Sequence, residues 1–274
     1  MRRRSFIKFL LSAPLGRMIS GLLLTGAVAG VLYLDLQKTD VRRSEGAHKA
    51  IYLPYPKLRG LVSVEEALAN RRSIRDYTEE PLTLEELSQL LWAAYGVSET
   101  RYGLRTAPSA GAQYPLELYA LVGTNGVKTD RGYLAAGIYH YDPHSHSVTL
   151  LKQGDFREDL YYAALEQRWV LTAPVSLIFT AVYSRTVRVY GERGRVRYVP
   201  MDLGHAGQNV YLQATALGLG TVAVGAFNDE EVARILGLSE RETPLYIMPV
   251  GRPVSRYKLS EKELIDYIES YRRR

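Results

Sequence analysis

Residues Arg71-Arg72-Ser73-Ile74-Arg75 put three guanidinium groups and a hydroxyl within five positions. Guanidinium forks match phosphate oxygens bidentately, so two or three of them suit a phosphate monoester. A solvated basic turn balanced by Asp76, Glu79 and Glu80 is the alternative reading of the same run. Further on, Ala107-Pro108-Ser109-Ala110-Gly111-Ala112-Gln113-Tyr114-Pro115 gathers small residues between a predicted helix and a predicted strand. Such a run lets a flat ligand approach the backbone, with Gln113 placed to read its edge; an ordinary loop is the alternative. A third segment, Gly218-Leu219-Gly220-Thr221-Val222-Ala223-Val224-Gly225-Ala226-Phe227, is glycine-rich. It is no dinucleotide fingerprint, because the third glycine comes too late and the run precedes a strand instead of following one. A fourth, Pro249-Val250-Gly251-Arg252-Pro253, ends a strand in a glycine and an arginine held by proline, placed to act as a second phosphate clamp.

Other chemistries find less support. With no cysteine, thiol nucleophiles, iron–sulfur clusters and Cys-ligated zinc are excluded. His140, His144 and His146 straddle a predicted hairpin tip, which reads as a solvated turn and not as a metal site. His205 falls on a long predicted helix, as a core or interface residue or as a pocket residue. No Ser-His-Asp order, P-loop or HExxH motif is visible. The chain has 21 tyrosines against five phenylalanines. Tyr161, Tyr162, Tyr190, Tyr198 and Tyr211 are candidates for a pocket or a dimer surface, since tyrosine offers an apolar body with a polar tip.

The net charge is +6, but residues 1–34 hold Arg2, Arg3, Arg4, Lys8 and Arg17 and no acid. The rest carries 30 basic and 29 acidic residues, a net of +1, which argues against nucleic acid as a partner. Residues 18–34, MISGLLLTGAVAGVLYL, are uncharged and as a helix span about 25 Å at 1.5 Å per residue. Ahead of them, Arg3-Arg4-Ser5-Phe6-Ile7-Lys8 resembles a twin-arginine export motif. The expected plan is a leader or membrane helix over 1–35, a tether over 36–60 and a folded domain over 61–274. The body then lies at the cell membrane or is exported to its outer side.

Within the body, helical spacing of Leu84, Leu87, Leu90, Leu91 and Ala94 predicts a helix over 84–95, opened by a capping box of Thr83 and Glu86. Ser63 with Glu66 opens another over 64–71, and Ser260 with Glu263 a C-terminal one. Strands are expected at 116–122, 174–183, 221–225 and 245–250, with a hairpin of 137–141 and 147–152. Helices are expected at 156–166, at 200–217 and, capped by Asp229, up to Leu236. This is an α+β plan, not regular βαβ alternation.

In their order, the four segments resemble the nitroreductase superfamily of FMN enzymes, nearest its SagB-type dehydrogenase branch, over about residues 62–255. The resemblance implies a mixed, mainly antiparallel central sheet flanked by helices. It implies a homodimer with FMN at the subunit interface, a small-molecule substrate (nitro, quinone or similar), and NAD(P)H or a quinone as electron partner. Arg71, Arg72, Ser73 and Arg75 match the segment that holds the flavin phosphate and ribityl chain. Pro108, Ser109, Ala110 and Gly111, with Gln113, match the segment over the flavin, Gly225 and Ala226 the amides near flavin N5, and Arg252 the terminal phosphate arginine. Azoline-oxidising members carry a Lys-Tyr pair before a Gly-x-Arg-Gly turn. Here Val189-Tyr190 precedes Gly191-Glu192-Arg193-Gly194, so Tyr190 is kept as a candidate catalytic residue while valine cannot take a proton. A peptide-acting dehydrogenase, or a flavin-binding protein without turnover, is the alternative function.

Overall fold

A computed structural model describes residues 49–273 of the 274-residue chain. The expected leader over 1–35 and most of the tether fall outside the described residues. Among the described residues no helix is long and apolar enough to cross a membrane.

The centre is a seven-stranded sheet. Its order is β1 (Ala50–Tyr52), β9 (Ser147–Gln153), β8 (Gly137–Asp142), β5 (Leu116–Val122), β10 (Val175–Ala181), β12 (Thr243–Gly251) and β11 (Gly220–Thr221). Every neighbouring pair is antiparallel, so the large sheet is not mixed as expected. Among the described residues, parallel pairing is confined to a small sheet, where β2 (Leu82–Thr83) meets β6 (Val127–Thr129) with β7 (Gly132–Tyr133) beyond, and to a bridge between Ser73 and Thr221. A hairpin of β3 (Val97–Glu99) and β4 (Leu104–Arg105) leads into the small-residue loop.

Side chains alternate across a strand, and here both faces are apolar. Leu177 and Phe179 of β10 point with Leu118 and Met248 towards one core, while Ile178 points with Leu121 and Ile247 towards the other. The first core is covered by α2 (Leu84–Tyr95) and α6 (Val199–Ala216). Leu87, Leu90, Leu91 and Ala94 of α2 and Leu203, Ala206, Val210 and Ala214 of α6 recur at helical spacing and are buried there. The second is covered by α3 (Arg157–Ala163), α4 (Arg168–Thr172) and α7 (Asp229–Leu236) through Leu160, Val170, Val232 and Ile235. Each such leucine or isoleucine contributes about 1.5–3 kcal/mol by leaving water. Three short or peripheral helices complete the set among the described residues: α1 (Val64–Asn70), α5 (Ser184–Tyr190) and α8 (Glu261–Arg272).

Several expected boundaries move for local reasons. The strand predicted over 221–225 stops at Thr221, because the Ala223 amide donates to the Tyr211 hydroxyl instead of to a strand. Val224 alone rejoins the sheet, opposite Ile247. The helix predicted over 156–166 ends at Ala163, and Leu165 and Glu166 then wind left-handed with φ of 55° and 57°. The strand predicted over 174–183 ends at Ala181, and α5 follows at once. Helix α7 is capped by Asn228, whose side chain accepts from the Glu231 amide, and not by Asp229. Ser63 caps α1 by accepting from Glu66, without the reciprocal bond of a full box.

The box at the start of α2 is complete: Thr83 Oγ1 accepts from the Glu86 amide, and Glu86 accepts from the Thr83 amide at 2.8 Å. Glu86 also carries the ion pair to Arg252, described below. Glu86→Ala should therefore lower unfolding free energy by about 1–3 kcal/mol, the scale of a lost cap plus a lost charged partner. Urea unfolding of the two proteins measures this. A change within error would show that neither contact matters.

Candidate active site

The segment Arg71–Arg75 runs extended alongside β11. Ser73 is bridged to Thr221, and the Ile74 amide donates to the Thr221 carbonyl at 2.9 Å. Gly220 permits this approach, since a Cβ there would lie 2.7 Å from Ile74 Cβ. Extended backbone sends successive side chains to opposite sides. Arg71 lies over the Tyr211 ring, 5.2 Å from its centre, and Ser73 Oγ is 3.0 Å from the Tyr211 hydroxyl. Arg75 lies over Trp169. Arg72 turns the other way, onto Tyr257, and donates to the carbonyls of Ala69 and Arg71. The four residues thus share one strip, with Arg71 and Ser73 meeting on Tyr211.

Tyr211 also closes the link to the third motif. Its hydroxyl accepts from the Ala223 amide at 2.8 Å, two residues before Gly225. Gly225 and Ala226 are exposed, and neither amide has a partner among the described residues. The Ala226 carbonyl accepts from Gln167. Beside Tyr211 lies a cavity of about 400 Å³. Arg72, Thr215, Gly218, Arg256 and Lys258 line it, and Arg256 donates to the Gly218 carbonyl at 2.7 Å.

Arg252 does not join this group. Its Nε is 2.7 Å from Glu80 and its Nη2 3.1 Å from Glu86, so two carboxylates already neutralise it. Arg252, expected as a phosphate clamp, here braces the last strand against α2. The cations that share the cavity with Tyr211 are Arg72, Arg256 and Lys258. Arg256 and Lys258 escaped the sequence reading because they follow the last strand in a segment without periodicity.

The loop Pro108–Gln113 is built tightly. Gly111 has φ of 60°, and Ala112 and Tyr114 have 52° and 45°, a left-handed region that is unfavourable for side-chain-bearing residues. Ser109 Oγ donates to Asp202 Oδ2 at 2.6 Å and accepts from the Tyr114 amide at 2.9 Å. Gln113 Nε2 donates to the Gly111 carbonyl at 2.8 Å. Tyr190 does meet the loop: a Cβ on Gly111 would lie 2.4 Å from its hydroxyl. Asp202, 2% exposed, is the residue that sequence reading missed. Burial pushes its carboxyl above the usual value, opposed by the bonds from Ser109 and Ala110. Its signal was a carboxylate beside the apolar stripe of Leu203, Ala206 and Val210.

Asp202 and Tyr211 are nine residues apart on α6, about 13.5 Å along the axis and about half a turn round it. The loop and the arginine strip therefore sit on opposite faces of one helix. Within one chain the structure does not bring Ser109–Gly111 over Arg71 and Ser73.

The loop's far end is held by charge. Arg185 donates to the Tyr114 carbonyl at 3.0 Å and pairs with Glu117, which also pairs with His140 at 2.9 Å. His140 is thus an ion-pair partner and not the solvated turn residue expected. His146 contacts Ser88, Tyr141 and the Pro54 carbonyl, so the histidines do not share a site. Burial would raise Glu117, but His140 and Arg185 outweigh it and hold the carboxyl at about 2. For His140, burial acts downwards and Glu117 overrides it, so its pKa is raised.

Two findings suit a bound phosphate monoester. Arg71 and Arg75 have no carboxylate partner among the described residues. The buried Thr221 hydroxyl, opposite Ser73, has no hydrogen-bond partner among the described residues.

Comparison with known proteins gives the family. The model of the Nitroreductase family matches residues 68–252, and the chain belongs to that family; it is an oxidoreductase. A Methanocaldococcus jannaschii relative that bears the nitroreductase name is 49% identical, over 70% of this chain and 92% of its own. The FMN reductase [NAD(P)H] of Bacillus subtilis is 25% identical over 76% of this chain and 74% of its own. Among solved structures, a Ralstonia eutropha protein of the nitroreductase type superimposes with a TM-score of 0.65. It is 31% identical and covers 77% of this chain and 92% of its own. The Escherichia coli microcin synthetase complex McbBCD contains a chain with the same fold, at a TM-score of 0.60 and 19% identity, covering 92% and 93%.

The Glu117 contacts stabilise the fold in a definite pH window. A lowered carboxyl pKa adds stability that is present above about 4.5 and lost as pH falls towards about 2. The raised His140 pKa adds stability that is present below about 6.5 and lost as pH rises through its folded value. Glu117→Gln should abolish both limbs, seen as a flatter plot of melting temperature against pH than that of the unaltered protein.

Proposed function

We propose that this protein is an FMN-dependent oxidoreductase that moves hydride through flavin N5 to or from a small organic substrate, such as a nitro compound or a quinone. The observation that carries the reading is the Tyr211 hydroxyl, which ties Ser73, beneath an uncompensated Arg71, to the turn that presents the unpartnered Gly225 and Ala226 amides. FMN supplies the redox chemistry, while the protein supplies binding, orientation and electrostatics. Arg71 and Arg75, with Arg72, Arg256 and Lys258 from the adjoining cavity, offset the phosphate, whose charge is about −1.5 to −2 near neutrality, and Ser73 donates a hydrogen bond to it. The Gly225 and Ala226 amides donate towards the ring. Tyr190, against Gly111, is the candidate to hold substrate above it. Val189 beside it offers no base, which favours a small-molecule substrate over azoline oxidation.

The opposite-facing loop and strip are satisfied by a homodimer in which Pro108–Gly111 of one copy covers the flavin held by the other. The exposed face of α6 supports this: Gly204 has open space where a Cβ would point, so a second backbone can come close. NAD(P)H or a quinone is the proposed electron partner. The twin-arginine-like leader and the apolar stretch 18–34 support a location at the membrane or beyond it; the N-terminal mass of the native protein tests this.

The purified protein should carry flavin at close to one per chain and oxidise a pyridine nucleotide with a quinone or nitroarene. Reducible flavin without turnover would leave only a binding protein, and no flavin on the folded chain would end the reading. Arg71→Ala should weaken FMN binding by roughly 1.5–3 kcal/mol, the scale of a hydrogen bond to a charged group, whereas Arg252→Ala should lower stability and leave flavin affinity unchanged.

Co-expressing Arg71→Ala with Gly111→Glu chains tests the shared site. In a shared-site dimer the mixed species keeps one intact flavin site from two defective chains. If strip and loop act within one chain, mixing restores nothing.

A further inference from the structure

We propose that the arginine-rich turn between α5 and α6 is a binding surface for an anionic substrate, a small organic molecule bearing carboxylate or phosphate oxygens. Only the consequence of binding, delivery of that substrate to the flavin, rests on the function proposed above.

Between Ser184 and Tyr198 the chain carries Arg185, Arg188, Arg193, Arg195 and Arg197 against the single acid Glu192. This concentrates positive charge in a body whose net charge is only +1. Arg185 is spent on Glu117, but Arg188, Arg193, Arg195 and Arg197 are exposed. Glu192 reaches only Arg195, at 3.9 Å. The other two oriented contacts are to tyrosines. Arg193 Nε donates to the Tyr198 hydroxyl at 3.2 Å, and Arg195 lies over the Tyr183 ring at 4.4 Å. A neutral partner orients a guanidinium without cancelling its charge, so these forks remain free to take oxyanions. Arg188 and Arg197 have no partner among the described residues.

The backbone is shaped for this display. Gly191, with φ of 60°, reverses the chain after α5, and residues Gly194–Tyr198 form a π-helical turn before α6. Such turns are uncommon and frequent at functional sites. The patch is also next to the flavin-side loop, because Tyr190 packs on Gly111 and its ring meets Tyr198 edge-on at 5.0 Å. A substrate with a planar end and an anionic end can therefore lie along Tyr190 with its charge among the arginines.

Calorimetric titration of the full, flavin-loaded chain with para-nitrobenzoate and with nitrobenzene isolates the charge, since the two differ by one carboxylate. The anion should bind about tenfold more tightly at low salt, a preference of about 1.4 kcal/mol. Added salt should erode it. Arg188→Gln with Arg197→Gln, which breaks no contact among the described residues, should weaken the anion and spare the neutral ligand. Adding Arg193→Gln and Arg195→Gln should abolish the preference, and Glu192→Gln should strengthen it. NADP⁺ against NAD⁺, a pair differing by one phosphate, identifies the source: loss of discrimination there points to a nucleotide phosphate, loss only with para-nitrobenzoate to a carboxylate. Equal affinities within both pairs, or a preference that survives neutralisation of all four arginines, overturns the surface. A chain that lacks flavin yet keeps the anion preference sinks the proposed function and leaves the surface standing.

Discussion

The Tyr211 hydroxyl stands between two backbone paths, the strip around Ser73 and the turn after β11, which also meet through the Ile74 amide and the Thr221 carbonyl. On one side it contacts Ser73 Oγ, and on the other it accepts the Ala223 amide. That second bond ends β11 after two residues and turns the chain so that Gly225 and Ala226 face outwards. An extended strip, a truncated strand and a long helix are thereby joined at one phenol. Arg71 lies over the same ring, where it gains attraction from the aromatic face and keeps its charge.

Much of the fold was legible because the signals were local and periodic. The leucines of α2 repeat at helical spacing, and Thr83 with Glu86 marks its start as a capping box. Strand β5 and the hairpin of β8 and β9 follow from short apolar runs separated by turn residues. The failures share a cause. Arg252 read as a clamp because its counter-ion Glu86 is 166 residues away in sequence. The bond from Gln113 to Gly111 went unseen because it depends on left-handed residues that no pattern announces. The strand over 221–225 was cut short by a side chain from another element. Asp202 was within reach, since a carboxylate next to an apolar stripe requires a partner.

The charged groups divide by what their neighbours leave them. Arg252 and Arg185 are each matched by carboxylates, one bracing β12 against α2 and the other fixing the end of the Pro108–Gln113 loop. Arg71, Arg75 and Arg193 are set against aromatic rings or hydroxyls. In this family member the type of partner separates arginines that hold the protein together from arginines left to bind something else.

Helix α6 carries Asp202 on one face and Tyr211 on the opposite one. In the proposed homodimer, a cofactor that touches the loop behind Asp202 of one copy and the strip behind Tyr211 of the other is held only while the two copies stay associated. Its retention then becomes subject to mass action on the protein itself. Dilution would loosen the flavin without altering a single contact inside either chain, and loss of flavin would in turn weaken the pairing. Catalytic competence and assembly would be two readings of one equilibrium.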